Sequence, residues 1–203
     1  MIKSITLENW KSHENTKLEF SKGTNVLIGQ MGSGKTSVMD AISFALFGTF
    51  PALQSRKIKL DDCIMNKPEM RGDARIALVF SLDGDEYSVL RKIERGKGTT
   101  VSEFKKNGSL IEGPNSQRVT EAIIKELQVD YELFSRAVYS EQYQIDYFLQ
   151  IPAGQRKKKI DELLKLDRFE KARSTLTTVI NRLKGQAKDK KTALREIEEE
   201  GLE

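Results

Sequence analysis

Eight consecutive residues, Gly29-Gln30-Met31-Gly32-Ser33-Gly34-Lys35-Thr36, carry the most specific chemistry in this chain. They fit G-x-x-x-x-G-K-[ST], the P-loop pattern that wraps nucleotide phosphates. Glycines at 29, 32 and 34 open backbone conformations closed to most residues and let N–H groups approach phosphate oxygens. A helix starting just after the loop aims its positive end at the same anion. Lys35 can reach the β- and γ-phosphates, and the Thr36 hydroxyl can ligate Mg²⁺.

Such a loop works only between a strand and a helix. Val26-Leu27-Ile28 is a short apolar run that reads as a buried strand, and Ser37 to Phe47 has helical spacing that stops near Gly48. Upstream, Ile5 and Leu7, then Leu18 and Phe20, alternate with polar residues and predict two half-buried antiparallel strands with a turn near 13–16. Residues 49–72 hold Pro51, Pro68 and Gly72 and read as a loop region. Residues 74–112 predict an antiparallel β meander with turns at Asp83-Gly84 and Asn107-Gly108. Ile76 to Asp83 also has the look of a Walker B strand ending in a magnesium-binding carboxylate, but the Asp-Gly turn after it favours a surface hairpin. Ser116 to Gln128 predicts a helix capped by Ser116. A second short helix starts at Asp130. Ala137-Val138-Tyr139 reads as a core strand leading into Ser140-Glu141-Gln142.

After Pro152 the pattern changes. Residues 170–203 lack aromatic residues and proline, and Leu166, Phe169, Leu176, Ile180, Leu183, Ala187, Leu194 and Ile197 step along a heptad grid interrupted at Arg173 and Lys190. A helix over 166–200 would be about 50 Å long. Its narrow apolar stripe predicts a coiled-coil strand that needs a partner helix; the alternative is one amphipathic helix packed on the domain. The pattern still runs at Glu203, as though the chain were cut there. The predicted division is 1–165 as a nucleotide-binding lobe and 166–203 as the start of an arm.

The 203 residues suit one sizeable domain with an extension, and the net charge of +4 permits nucleic-acid contact without requiring it. A single cysteine, Cys63, excludes an intramolecular disulfide framework and a multi-cysteine zinc site. His13 is the sole histidine, so neither a His-based metal site nor a catalytic triad can be built from this chain alone. No apolar run approaches the roughly 20 residues that span a bilayer. Residues 1–10 alternate like a strand and lack a signal-peptide core, so an intracellular protein (cytoplasm, nucleoid or nucleus) is expected, with no membrane partner.

A P-loop enzyme also needs an acidic element near Mg²⁺. None is evident, nor is a Leu-Ser-Gly-Gly signature, so the chain reads as the first half of an ATPase. Three passages then resemble one family. Leu7-Glu8-Asn9-Trp10-Lys11-Ser12-His13, Gly29 to Ser37 followed by Met39-Asp40-Ala41-Ile42, and Glu141-Gln142-Tyr143-Gln144-Ile145-Asp146 are similar to the opening strand, P-loop and Q-loop of SMC-like ATPases of the ABC group. Leu164 to Ala172, leading into the arm, is most similar to the branch that repairs DNA double-strand breaks with an Mre-eleven-type nuclease.

The resemblance implies an α/β fold: a P-loop NTPase, the N-terminal lobe of an ABC/SMC-type ATPase head with an antiparallel β subdomain and a C-terminal coiled-coil helix. It implies ATP and Mg²⁺ as cofactors. Met31, Gly32, Ser33, Gly34, Lys35, Thr36 and Ser37 would wrap the phosphates, with Thr36 and Gln142 (Q-loop 140–146) at the metal. Lys35 and Gln142 would be the catalytic groups, and Lys11 would reach the phosphates from the first strand pair. The loop at Ile64 to Asn66 would pass near the adenine. Signature and Walker B elements would come from the C-terminal half of the same ATPase. Two heads would sandwich two ATP molecules as a homodimer on double-stranded DNA. Met31 departs from the asparagine usual in the family.

Other readings stay open. Without a nuclease, the same head would serve chromosome structure or recombination. A self-contained kinase or GTPase would need a specificity motif, of which Asn66-Lys67-Pro68-Glu69 is only a partial likeness. Arg156-Lys157-Lys158-Lys159 could meet DNA or a partner, or could be a solvated face.

Overall fold

The computed structural model describes residues 1–135, 139, 152, 154–155, 161, 167–199 and 201. The chain divides into two compact units, Met1–Ser140 and Glu141–Glu203.

The first unit is built on one antiparallel sheet of β1 (Ile2–Trp10), β2 (His13–Glu19), β3 (Asp73–Leu82), β4 (Asp85–Glu94), β5 (Gly98–Lys106) and β6 (Ser109–Glu112). Their order across the sheet is β2-β1-β3-β4-β5-β6, so each strand pairs with a sequence neighbour except where β1 meets β3. Period-two alternation sets the register. Leu7 faces Ile76, and Ile76 faces Arg91; Ile5 faces Leu78, Leu78 faces Val89, and Val89 faces Phe104. All of these are buried and share one face. An aromatic row runs along it, with Phe80 and Tyr87 stacked at 5.3 Å and Tyr87 and Phe104 at 5.6 Å.

The β3–β4 turn at Asp83-Gly84 has φ of 51° and 91°, and the β5–β6 turn at Asn107-Gly108 has φ of 48° and 81°. Both dipeptides suit the left-handed hairpin turn that lets right-twisted strands meet. The antiparallel pairing of β3 on both edges makes Ile76–Leu82 a meander strand and disposes of the Walker B alternative.

Two helices cover the apolar face: α1 (Lys35–Phe47) and α3 (Ser116–Leu127). Helix α1 is buried along most of its length from Val38 onward, and Gly48 (φ 68°) ends it by donating its N–H to the Phe44 carbonyl at 2.8 Å. Asn115, not the expected Ser116, caps α3; its side chain accepts from the N–H groups of Gln117 and Arg118 at 3.0 Å each. Ser116 instead serves a buried arginine, as described below. Asp130 caps the short α4 (Tyr131–Leu133), taking the Leu133 N–H at 2.9 Å.

Two expectations are corrected. Val26-Leu27-Ile28 is not a buried strand: it carries no ladder, and Val26 and Ile28 are 71% and 91% exposed. Apolar composition alone cannot make a strand. None of the described strands lies beside these residues, so their backbone groups have no ladder to join. Residues 49–72, read as loop, contain α2 (Pro51–Gln54) and a 3₁₀ turn at Leu60–Cys63. They are also tied to the end of β1: Lys11 N–H donates to Cys63 O at 2.8 Å and Met65 N–H to Asn9 O at 2.7 Å. Positive φ at Asn9 (52°) and Lys11 (51°) accompanies these side-on bonds, a pattern that strand periodicity does not encode.

Cys63 lies fully buried in this junction, and burial pushes its thiol up to about 12. It should therefore resist iodoacetamide at pH 8 in the native chain and react promptly once urea unfolds it. Prompt native-state alkylation, measured by intact mass, would contradict this packing.

In the second unit, α5 (Asp167–Glu199) is one helix of 33 residues. Phe169, Leu176, Val179, Ile180, Leu183, Leu194 and Ile197 stand exposed along it. Leu166 and the Arg156–Lys159 cluster fall outside the described residues, as do Ala137 and Val138 of the expected core strand; Tyr139 is not in a strand.

Candidate functional site

The glycine-rich loop wraps into the first turn of α1. Gly32 and Gly34 have φ of 84° and 91°, values that an L side chain rarely adopts. Gly34 is the residue before the helix, and Val38 N–H donates to its carbonyl at 3.2 Å. No side chain caps this helix start, so its N–H groups are directed to the loop without an internal competitor. A Cβ on Gly34 would lie 2.5 Å from His13 Nε2 and 2.6 Å from Ser12 Oγ. The Lys11-Ser12-His13 turn thus lies against the last glycine of the loop. His13 binds on both sides, with Nδ1 3.1 Å from Thr16 Oγ1 and Nε2 3.1 Å from Gly34 O.

Lys35 folds its ammonium over its own loop, donating to Gly29 O and Gln30 O at 2.8 Å each and to Ser33 Oγ at 3.3 Å. A cation beside a glycine-rich loop at an uncapped helix start suits an oligophosphate. Thr36 is exposed on the first turn, its hydroxyl open to a metal. Met31 is fully exposed at the loop tip, and Ser37 lends its carbonyl to Trp10 Nε1–H at 2.9 Å. Trp10 packs on Phe44 of α1 at 5.4 Å and on Phe50 at 6.0 Å, so the end of β1 and the start of α1 form one rigid corner.

These residues fit a magnesium nucleotide in part. The loop backbone, Lys35 and the start of α1 suit the phosphates. For the cation the chain offers the Thr36 hydroxyl, and no cluster of three or more His, Cys, Asp or Glu side chains occurs among the described residues. One hydroxyl is a partial set for an ion that otherwise keeps water and phosphate oxygens. Gln142, the other expected metal residue, lies outside the described residues.

Lys11, expected at the phosphates, pairs with a carboxylate of α1. Its ammonium lies 2.6 Å from Asp40 Oδ2 and 4.5 Å from the Phe50 ring centre. Asp40, buried in α1, also accepts the Tyr139 hydroxyl at 3.0 Å. Sequence reasoning passed over both partners. The signal available was a carboxylate amid the apolar positions of α1.

A sheet bearing a P-loop helix on one face, with a long C-terminal helix following in the chain, defines the N-terminal lobe of a P-loop NTPase head of the ABC/SMC type. The chain belongs to the AAA domain family, whose model matches residues 4–201. It is 32% identical over 179 residues to the DNA double-strand break repair Rad50 ATPase of Methanococcus maripaludis, covering 88% of this chain and 17% of that protein. It is 31% identical over 191 residues to the Rad50 ATPase of Thermoplasma volcanium, covering 93% and 20%. The chain therefore spans about a fifth of the length of these relatives. Among solved structures it resembles one described as "Structural biochemistry of ATP-driven dimerization and DNA stimulated activation of SMC ATPases", with a TM-score of 0.60 at 25% identity, covering 80% of this chain and 98% of that one.

Proposed function

We propose that this chain is the N-terminal part of an ATPase of DNA double-strand-break repair, in which ATP binding closes two heads on each other. The observation that carries this reading is the Lys35 ammonium clasped over the P-loop at the uncapped start of α1. A triphosphate would replace the carbonyls as the partner of Lys35, and Mg²⁺ would rest on Thr36 with Gln142 at the water side. Met31 to Ser37 would line the phosphates, and Lys11 would join them. Catalysis would consist of positioning and charge stabilisation. Residues 1–165 would form the head lobe and 166–203 the root of a coiled-coil arm.

The exposed Val26-Leu27-Ile28 segment supports completion of the lobe by a further part of the ATPase. This run of exposed apolar residues just before the P-loop can be paired by strands of the C-terminal half, which would also bring the Walker B carboxylate. The exposed apolar residues of α5 suit a returning helix of the same arm. Double-stranded DNA, a second head and an Mre-eleven-type nuclease are the partners this reading assigns, in an intracellular setting. Among the described residues no helix is long and apolar enough to cross a membrane.

Light scattering tests it. The chain mixed with its C-terminal half should double in mass when Mg²⁺ and a non-hydrolysable ATP analogue are added. Unchanged mass with analogue bound would refute the ATP-closed dimer. Capture of the nuclease by the completed head separates the repair reading from an SMC-type chromosome head.

A further inference from the structure

Asp40 sits on α1 five residues beyond Lys35, is 7% exposed, and has each carboxylate oxygen engaged by a different part of the unit. Oδ2 holds Lys11 at 2.6 Å and Oδ1 accepts from Tyr139 at 3.0 Å. Lys11 occupies the two-residue turn between β1 and β2 with φ of 51°, where asparagine or glycine would be unstrained. Ser12 and His13, the next two residues, lie on Gly34 of the P-loop. One carboxylate therefore links the turn that touches the loop, the helix that follows the loop, and Tyr139. In sequence, Tyr139 stands three residues before Gln142. A largely desolvated ion pair adds little net stability, and strained backbone concentrates where function holds it. Together these features favour a role for the pair beyond holding the fold.

We propose that Asp40 is a positioning residue of the nucleotide site: it stations the Lys11 ammonium beside α1 in the nucleotide-free chain and yields it to the phosphates when ATP binds. The proposal rests on the nucleotide reading above. A triphosphate carries more negative charge than one carboxylate, so it outcompetes Asp40 for Lys11. The Tyr139 hydroxyl stabilises the carboxylate left behind. Trp10, the sole tryptophan, lies 5.8 Å from the Lys11 ammonium and reports its departure.

The test uses the full chain, with Mg²⁺–ATP titrated by calorimetry and by Trp10 emission. The wild type should bind with an emission change. Asp40→Asn should bind about fivefold tighter with a smaller change, the size of one net hydrogen bond. Tyr139→Phe should bind more weakly, the opposite sign. In a Lys11→Met background the gain from Asp40→Asn should vanish; a gain that survives there would be general charge relief and would overturn the proposal. Should Asp40→Asn fail to fold, Tyr139→Phe decides, and unchanged affinity in it overturns the hand-over. A readout independent of ATP is the rate at which Lys11 is acetylated in the nucleotide-free chain, followed by peptide mass. Asp40→Asn should raise it, and equal rates overturn the stationing. A wild type that binds no ATP refutes the nucleotide reading and the release with it, while faster Lys11 acetylation in Asp40→Asn would still uphold the stationing.

Discussion

Lys35→Ala should lose ATP affinity by about 100-fold or more while leaving the fold intact. The size follows from two charge-assisted hydrogen bonds to phosphate, each worth about 1.5–3 kcal/mol, against 1.4 kcal/mol per decade of affinity. The intact fold follows from where the ammonium sits. Its partners, Gly29 O, Gln30 O and Ser33 Oγ, belong to its own exposed loop, so truncation frees solvent-accessible acceptors and opens no cavity. Calorimetric titration with Mg²⁺–ATP measures the first effect and urea unfolding the second. Affinity retained within a few-fold would remove Lys35 from the phosphate site. Lost affinity with a lowered unfolding midpoint would mean that the lysine holds the loop and does not serve a ligand.

The two halves of this site differ in how far the amino-acid sequence reveals them. Gly32, Gly34, Lys35 and Thr36 are legible because the chemistry is local: left-handed glycines, a cation and a helix start must be consecutive to act together. The hairpins at Asp83-Gly84 and Asn107-Gly108 are legible for the same reason, since turn type depends on two residues. Val26-Leu27-Ile28 misleads because a strand is a property of its neighbours, and no ladder reaches it among the described residues. Lys11 shows the same limit. Its partner Asp40 is 29 positions away and Tyr139 is 99 positions from Asp40, so their meeting depends on how the corner packs. Asn115 took the cap of α3 because Ser116 has a tertiary obligation that propensity cannot register.

That obligation is to Arg91, which alternation along β4 places on the core face among Val89, Ile93 and Tyr87, where a charge is least expected. It is fully buried, and burial lowers its guanidinium to about 10, which still leaves it charged at pH 7. Nε–H donates to Ala45 O at 2.7 Å, and one terminal nitrogen donates to Leu46 O at 3.4 Å and to Thr120 Oγ1 at 2.8 Å. The other terminal nitrogen donates to Ser116 Oγ at 2.6 Å. Ala45 and Leu46 lie in the last turn of α1, whose carbonyls have no partner further along the helix and form its negative end. The guanidinium thus caps the P-loop helix from the sheet and bolts it to α3. Arg91→Ala should cost about 3–5 kcal/mol: two buried carbonyls lose their donor at about 1–3 kcal/mol each, and the missing stem leaves a cavity. Against a total of about 5–15 kcal/mol, that brings the unit close to unfolding. Arg91→Met, which refills the volume without donors, should recover only the cavity share, whereas Arg91→Lys should recover part of the donor share. Urea midpoints rank the three. If Met matches wild type, packing and not capping is what Arg91 supplies. If Lys does better than Met, the charge at the end of α1 is what holds the P-loop helix on the sheet.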